Sequence, residues 1–151
     1  MVREISDKNE KKRIAREILE ALPEWFGIPE SREEYITQSA EQLFFAAEED
    51  GETVGFLCLK GTGDATAELA VMGVRKEHHR RGLGRALFEA AKASAKASGF
   101  VFLQVKTVQM GRYPEYDATN RFYLSLGFRE FEVFPTLWDE WNPCQVYVMA
   151  I

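Results

Sequence analysis

One stretch, residues 68–98, constrains this chain more than any other: ELAVMGVRKEHHRRGLGRALFEAAKASAKAS. Residues 68–74 are β-prone and apolar at Leu69, Val71 and Val74, and read as a strand. A basic turn follows over 75–81, and Gly82-Leu83-Gly84 opens a long helix. Leu83, Leu87, Ala90, Ala91 and Ser94/Ala95 recur at helical spacing. Gly99 stands where a post-helical glycine usually stops a helix. The first N–H groups of a helix have no intrahelical acceptor and carry partial positive charge, so they attract anions. Glycines at that point let a ligand approach the backbone. A strand feeding a glycine-rich helix start is therefore a phosphate cradle in outline.

Charge sharpens this expectation. The 151-residue chain carries a formal net charge of −5, which argues against general affinity for nucleic acid. Between Arg75 and Arg85, however, lie five Arg/Lys and one Glu, a local charge of +4. An acidic protein with one basic turn expects a small polyanionic ligand at that turn. The length suits a single domain over residues 1–151, and a composition 46% hydrophobic and 28% charged is that of a soluble globule. No apolar run approaches a membrane span, and the polar start MVREISDKNEKK lacks a signal core, so the expected compartment is cytoplasmic. Cys58 and Cys144 form neither a disulfide framework nor a metal spacing.

The rest of the chain reads as alternating elements. Residues 1–5 form a short strand, and Ser6 or Asp7 caps a helix with Ile14, Ile18, Leu19 and Leu22 on one face. Pro23 ends it, a loop spans 23–30, and Ser31 is placed to cap a second helix running to about Ala40. Strands at 43–49 and 53–59 flank the hairpin signal Asp50-Gly51. A strand at 100–107, a loop at 108–115, a helix at 116–126 closed by Gly127, and a strand at 128–134 follow. Residues 135–143 read as a loop with Trp138 and Trp141, and 145–151 as the last strand. The expected fold is α/β (α+β): a mixed sheet of about seven strands flanked by about four helices.

This order, joined to His79-Arg80-Arg81-Gly82-Leu83-Gly84 after a strand ending in Val74, resembles the GNAT superfamily of acyl-CoA-dependent N-acetyltransferases. The resemblance covers nearly the whole chain. The family pattern is Gln or Arg, two variable residues, Gly, one variable residue, then Gly or Ala; His79 departs from it at the first position. A second family feature, Phe-Tyr, three residues, Gly-Phe, matches Phe122-Tyr123 and Gly127-Phe128. The glycines alone also fit a fragment of a dinucleotide fingerprint, but Leu87 stands at the third glycine position, and no Gly-Lys-Ser/Thr provides a P-loop.

The resemblance implies acetyl-CoA as co-substrate. Its pyrophosphate is expected on His79, Arg80, Arg81, Gly82, Leu83, Gly84 and Arg85, its pantetheine along Met72, Gly73 and Val74 where the strands splay, with a further contact at Tyr116. A glycine within a strand, here Gly73, marks a bulge or a close approach. The Val74 N–H is the expected oxyanion donor. Tyr123 matches the family's general acid, and Glu68 stands where some members carry a general base. The alternatives are a half-buried core tyrosine and a solvated strand end. Loops 22–28 and 134–143 are expected to line the acceptor pocket. Trp25, Phe26, Trp138 and Trp141, beside Glu24, Asp139 and Glu140, suit a cationic amine; equally, the tryptophans cover the open end of the sheet. Arg112 is available for an acceptor carboxylate. His78 and His79 lack a third ligand, so no metal is expected. The expected function is acetyl transfer to a primary amine of a small molecule or peptide in a ternary complex. The competing reading is a non-catalytic acyl-CoA-binding sensor on the same fold. The resemblance also allows a homodimer.

Overall fold

A computed structural model describes all residues from Met1 to Ile151. Seven strands form one mixed sheet: β1 (Val2–Ile5), β2 (Leu43–Glu49), β3 (Glu52–Gly61), β4 (Thr66–Val74), β5 (Phe102–Val108), β6 (Arg129–Asp139) and β7 (Asn142–Ala150). Four helices flank it: α1 (Lys8–Glu20), α2 (Pro29–Ser39), α3 (Leu83–Ala97) and α4 (Pro114–Leu126). The spatial order is β1-β2-β3-β4-β5-β7-β6. Only β4 and β5 run parallel, and α3 makes the crossover between them. No helix is long and apolar enough to cross a membrane.

Two apolar layers result. Leu83, Leu87, Phe88, Ala91 and Ala95 bury one face of α3 against the sheet, together with Tyr123 and Leu126 of α4. Ile14, Ile18, Leu19 and Leu22 of α1 cover the other face, over the stacked rings of Phe44 and Phe56. Asp7 starts α1 as its side chain accepts the Glu10 N–H at 2.8 Å.

Two expectations need correction. Ser31 does not cap α2. That helix begins at Pro29, with Ile28 before it and no side-chain cap, because proline's fixed φ and missing N–H suit a first helical turn. Residues 135–143 are not a loop: β6 runs on to Asp139 and turns tightly into β7. Asp139 closes the turn by accepting the N–H groups of Trp141 and Asn142. Pro135 is tolerated because β6 is an edge strand that owes no hydrogen bond on its outer side. Of the two readings of Gly73, a bulge or a close approach, the structure shows the close approach. The irregularity lies at Ala70, where Leu59 pairs Leu69 and Cys58 pairs Val71. It shifts the alternation, so Met72 and Val74 share the α3 side with Leu69 while Gly73 faces α1. A Cβ at Gly73 would stand 2.8 Å from Leu22 Cδ1 and 3.2 Å from Ile18 Cγ2. The glycine thus lets α1 sit close to β4.

β4 pairs with β5 only from Thr66↔Phe102 to Leu69↔Val105. Beyond that, β4 continues to Val74 without a neighbour on this side, while β5 stays paired to β7 as far as Val108. The expected splay is present. Asn120 of α4 holds its far wall. Its amide donates to the carbonyls of Val108 (2.8 Å) and Tyr116 (2.7 Å) and accepts from the Tyr147 hydroxyl at 2.5 Å. Asn120→Ala leaves these buried partners unpaired, so urea unfolding should show a loss of about 2–4 kcal/mol, against about 1 kcal/mol for Tyr147→Phe.

Candidate functional site

Where β4 and β5 part, a cavity of about 1170 Å³ opens between the two helical layers. At one end lies the turn before α3. Arg80 and Gly82 have positive φ, 64° and 77°, and this alternation turns successive N–H groups toward a common point. No N–H from Arg80 to Arg85 has an acceptor in the chain; the first helical bond runs from Ala86 N–H to the Gly82 carbonyl at 3.0 Å. His79, Arg80, Gly82, Leu83, Gly84 and Arg85 line the cavity here. Arg85 Nη2 also donates to the Ser125 carbonyl at 3.2 Å. Gly84 has a packing reason: a Cβ there would stand 3.0 Å from Phe122 Cζ, so the glycine brings α3 against α4.

Met72, Gly73 and Val74 form the cavity's strand edge. The Val74 carbonyl accepts from His79 Nε2 at 2.6 Å, which folds the turn back onto β4. On the opposite wall Tyr123 is buried against Phe122, Phe128 and Tyr147. It lines the cavity, and its hydroxyl bonds to no protein atom. Burial pushes its phenol pKa well up, so the group stays a proton donor near neutrality.

Glu68 is no solvated strand end. It is 6% exposed, and its Oε1 accepts from Lys106 Nζ at 3.0 Å. Lys106 lines the cavity, whereas Glu68 stands just behind it.

The loop between α1 and α2 is clasped to α4 across the cavity. Trp25 Nε1 donates to the Glu115 carbonyl and to Thr119 Oγ1, both at 3.2 Å, and the Tyr116 hydroxyl donates to the Trp25 carbonyl at 2.8 Å. The Trp25 ring also meets the His79 ring at 6.1 Å, edge to face.

A family model for the acetyltransferase (GNAT) domain matches residues 40–130. The chain belongs to the GNAT acetyltransferase family. Similar solved structures include a GNAT-family protein from Desulfovibrio desulfuricans, with TM-score 0.86, 20% identity and coverage of 99% of this chain and 98% of that one. A GNAT acetyltransferase from Elizabethkingia anophelis with acetyl-CoA bound aligns at TM-score 0.70 and 17% identity over 90% of each chain. The aminoglycoside 6′-N-acetyltransferase from Enterococcus faecium gives 0.74 and 16%, covering 99% of this chain and 96% of that one.

Within this GNAT chain, four expected site residues stand apart from the cavity lining. Arg81 turns onto Glu49 at 2.9 Å. Glu49 also takes His78 Nδ1 at 2.5 Å, and these bonds, His78's first, hold its carboxyl below the usual range. Arg112 is exposed on the segment before α4 and misses the cavity, as does Trp141 at the hairpin tip, 68% exposed. Glu68 is the fourth. Trp25, Phe26, Tyr116 and Trp138 do line it. The carboxylates expected to meet a cationic amine are largely engaged: Glu24 by Lys76 at 2.6 Å and Asp139 by its turn, while Glu140 is not part of the lining.

Sequence reasoning missed Arg32 and Tyr35 of α2 and Lys106 of β5, all cavity-lining. Lys106 had a signal, a charge between the apolar Val105 and Val108 on an inner strand. Arg32 and Tyr35 stand at i, i+3 and so share a helix face, but polar residues surround them and hide the pattern. Trp25→Phe removes the indole donor without emptying the space. Amide hydrogen exchange of residues 24–28 should accelerate by about tenfold, the population change of about 1.4 kcal/mol per lost clasp, while α3 keeps its protection; unchanged exchange would refute the clasp.

Proposed function

We propose that residues 1–151 act as one acetyl-CoA-dependent N-acetyltransferase domain that acetylates a primary amine of a small molecule or peptide by direct attack in a ternary complex. The observation that carries this reading is the joining, in one cavity, of a helix-start cradle of unpaired N–H groups, an unpaired strand edge and a buried tyrosine with a free hydroxyl. The residues fit the co-substrate. The N–H groups from Arg80 to Arg85, with the Arg80 and Arg85 side chains, suit a pyrophosphate. The exposed edge of β4 suits the amides of a pantetheine arm, which pairs like a peptide strand. Acetyl-CoA supplies an activated acyl carbon as a thioester.

In the transfer, the amine nitrogen bonds to that carbon and the carbon–sulfur bond breaks. Sulfur leaves with the bonding pair and takes the proton of the Tyr123 hydroxyl. The Val74 N–H is assigned to the carbonyl oxygen as negative charge builds there. The acceptor nitrogen's proton goes through a water toward Glu68, whose Oε1 is held by Lys106 and whose Oε2 has no hydrogen bond. Cys58 is buried and its thiol pKa is pushed far up by desolvation, and burial raises Cys144 to about 11, so neither suits an acyl-enzyme.

Calorimetry with acetyl-CoA and an acceptor screen read by CoA-thiol release test this reading. Tyr123→Phe should lower kcat by about 100-fold and leave acetyl-CoA affinity within about twofold. Undiminished turnover would remove Tyr123 from the mechanism. Acetyl-CoA binding without thiol release from any amine would favour the sensor, and affinity for ATP or NAD without affinity for CoA would sink the acetyltransferase.

A further inference from the structure

Away from the helix-start cradle, the cavity's second half lies between α2, β5 and the β6–β7 hairpin. Cationic side chains line it beside Asp139, whose carboxylate is taken up by its own turn. Arg32 reaches it from α2. The guanidinium donates one hydrogen bond, from Nη1 to the Phe26 carbonyl at 3.3 Å, and its Nε is buried with no acceptor. No carboxylate forms an ion pair with it. Tyr35, one turn on, lines the same wall with a hydroxyl that bonds to no protein atom. Burial and then the charge of Glu68 raise its pKa, so it remains a donor. Lys106 faces the cavity from β5 and spends one of its three ammonium protons on Glu68. Phe26, Leu137 and Trp138 supply apolar walls around these donors.

Arg32 is half-buried, its shielded Nε lacks an acceptor, and the planar fork of a guanidinium matches a carboxylate in two parallel bonds. We propose that the acceptor carries a carboxylate that docks on Arg32, with the Tyr35 hydroxyl and Lys106 beside it, so that the substrate class is an amino acid or another amino-carboxylate with an apolar side group. This rests on the acetyltransferase reading and deepens it. Arg32 is then a specificity-determining residue, and it takes the task that the sequence suggested for Arg112. Polyamines and aminoglycosides, which bring no carboxylate to this wall, are poor acceptors.

Matched pairs test it: L-phenylalanine with L-phenylalaninamide, L-methionine with L-methioninamide, and 6-aminohexanoate with hexylamine. Each is assayed by CoA-thiol release and titrated into CoA-saturated protein by calorimetry. Wild type should favour the carboxylate member of at least one pair by about tenfold or more in kcat/KM, as expected for one charge-assisted contact. Arg32→Gln should bring that ratio close to one, chiefly by raising KM for the carboxylate, and Arg32→Lys should restore part of it. Thermal melting of each variant separates this from misfolding. Equal use of both members, a preference for the amides, a ratio that survives Arg32→Gln in a folded protein, or no binding or turnover of any member would overturn the proposal. Acetyl-CoA affinity, measured alone, distinguishes the cases. If it is present, only the acceptor assignment fails; if it is absent, the acetyltransferase reading falls as well.

Discussion

Everything in this fold depends on two parallel strands that stop pairing halfway along. A strand edge inside a protein is an unfavourable thing to leave open, since each unpaired N–H or carbonyl there forfeits a hydrogen bond. On its β5 side β4 nevertheless runs on unpaired after Leu69, and the surrounding elements are arranged to keep the gap open rather than close it. β5 is committed to β7, α4 is fastened to β5 through Asn120, and the bulge at Ala70 turns β4 where the pairing ends. A ladder that is absent on one side is ready to accept a chain-like ligand.

The same arrangement sorts the charges. Most carboxylates near the opening already have partners. Lys76 holds Glu24, the turn into β7 holds Asp139, and Glu49 anchors the basic turn from outside through His78 and Arg81. These pairings leave positive groups facing inward at both ends, N–H groups at the start of α3 and a guanidinium on α2. A net acidic protein therefore places unpaired donors around this cavity, a contrast that total charge hides.

Much of this was legible in the sequence, for identifiable reasons. The cradle was readable because glycines and arginines are concentrated in a few consecutive positions, so local geometry alone places them. Tyr123 was readable because its neighbours on both sides carry the family pattern. The side chains of Arg81, Arg112 and Trp141 stand outside the cavity lining, and composition does not say which way a side chain turns. Arg81 found a carboxylate from β2, 32 residues earlier, and that choice is made by tertiary packing. The loop expected around Pro135 failed for a similar reason: proline breaks a central strand but not an edge, and edge position is a property of the sheet. Arg32 and Tyr35 stayed hidden because α2 is polar on nearly every side.

Asn120 carries one more consequence. Apolar contacts are non-directional, and a core can exchange one aliphatic side chain for another while its helices slide by fractions of a turn. A primary amide bonded to Val108, Tyr116 and Tyr147 allows no such slide, because its bonds have both length and angle. Tyr123 lies three residues further along the same helix. Its hydroxyl is therefore indexed to the sheet by a polar pin rather than by the oil around it. Sequence drift in the core can alter how tightly α4 is held while leaving unaltered where its phenol stands.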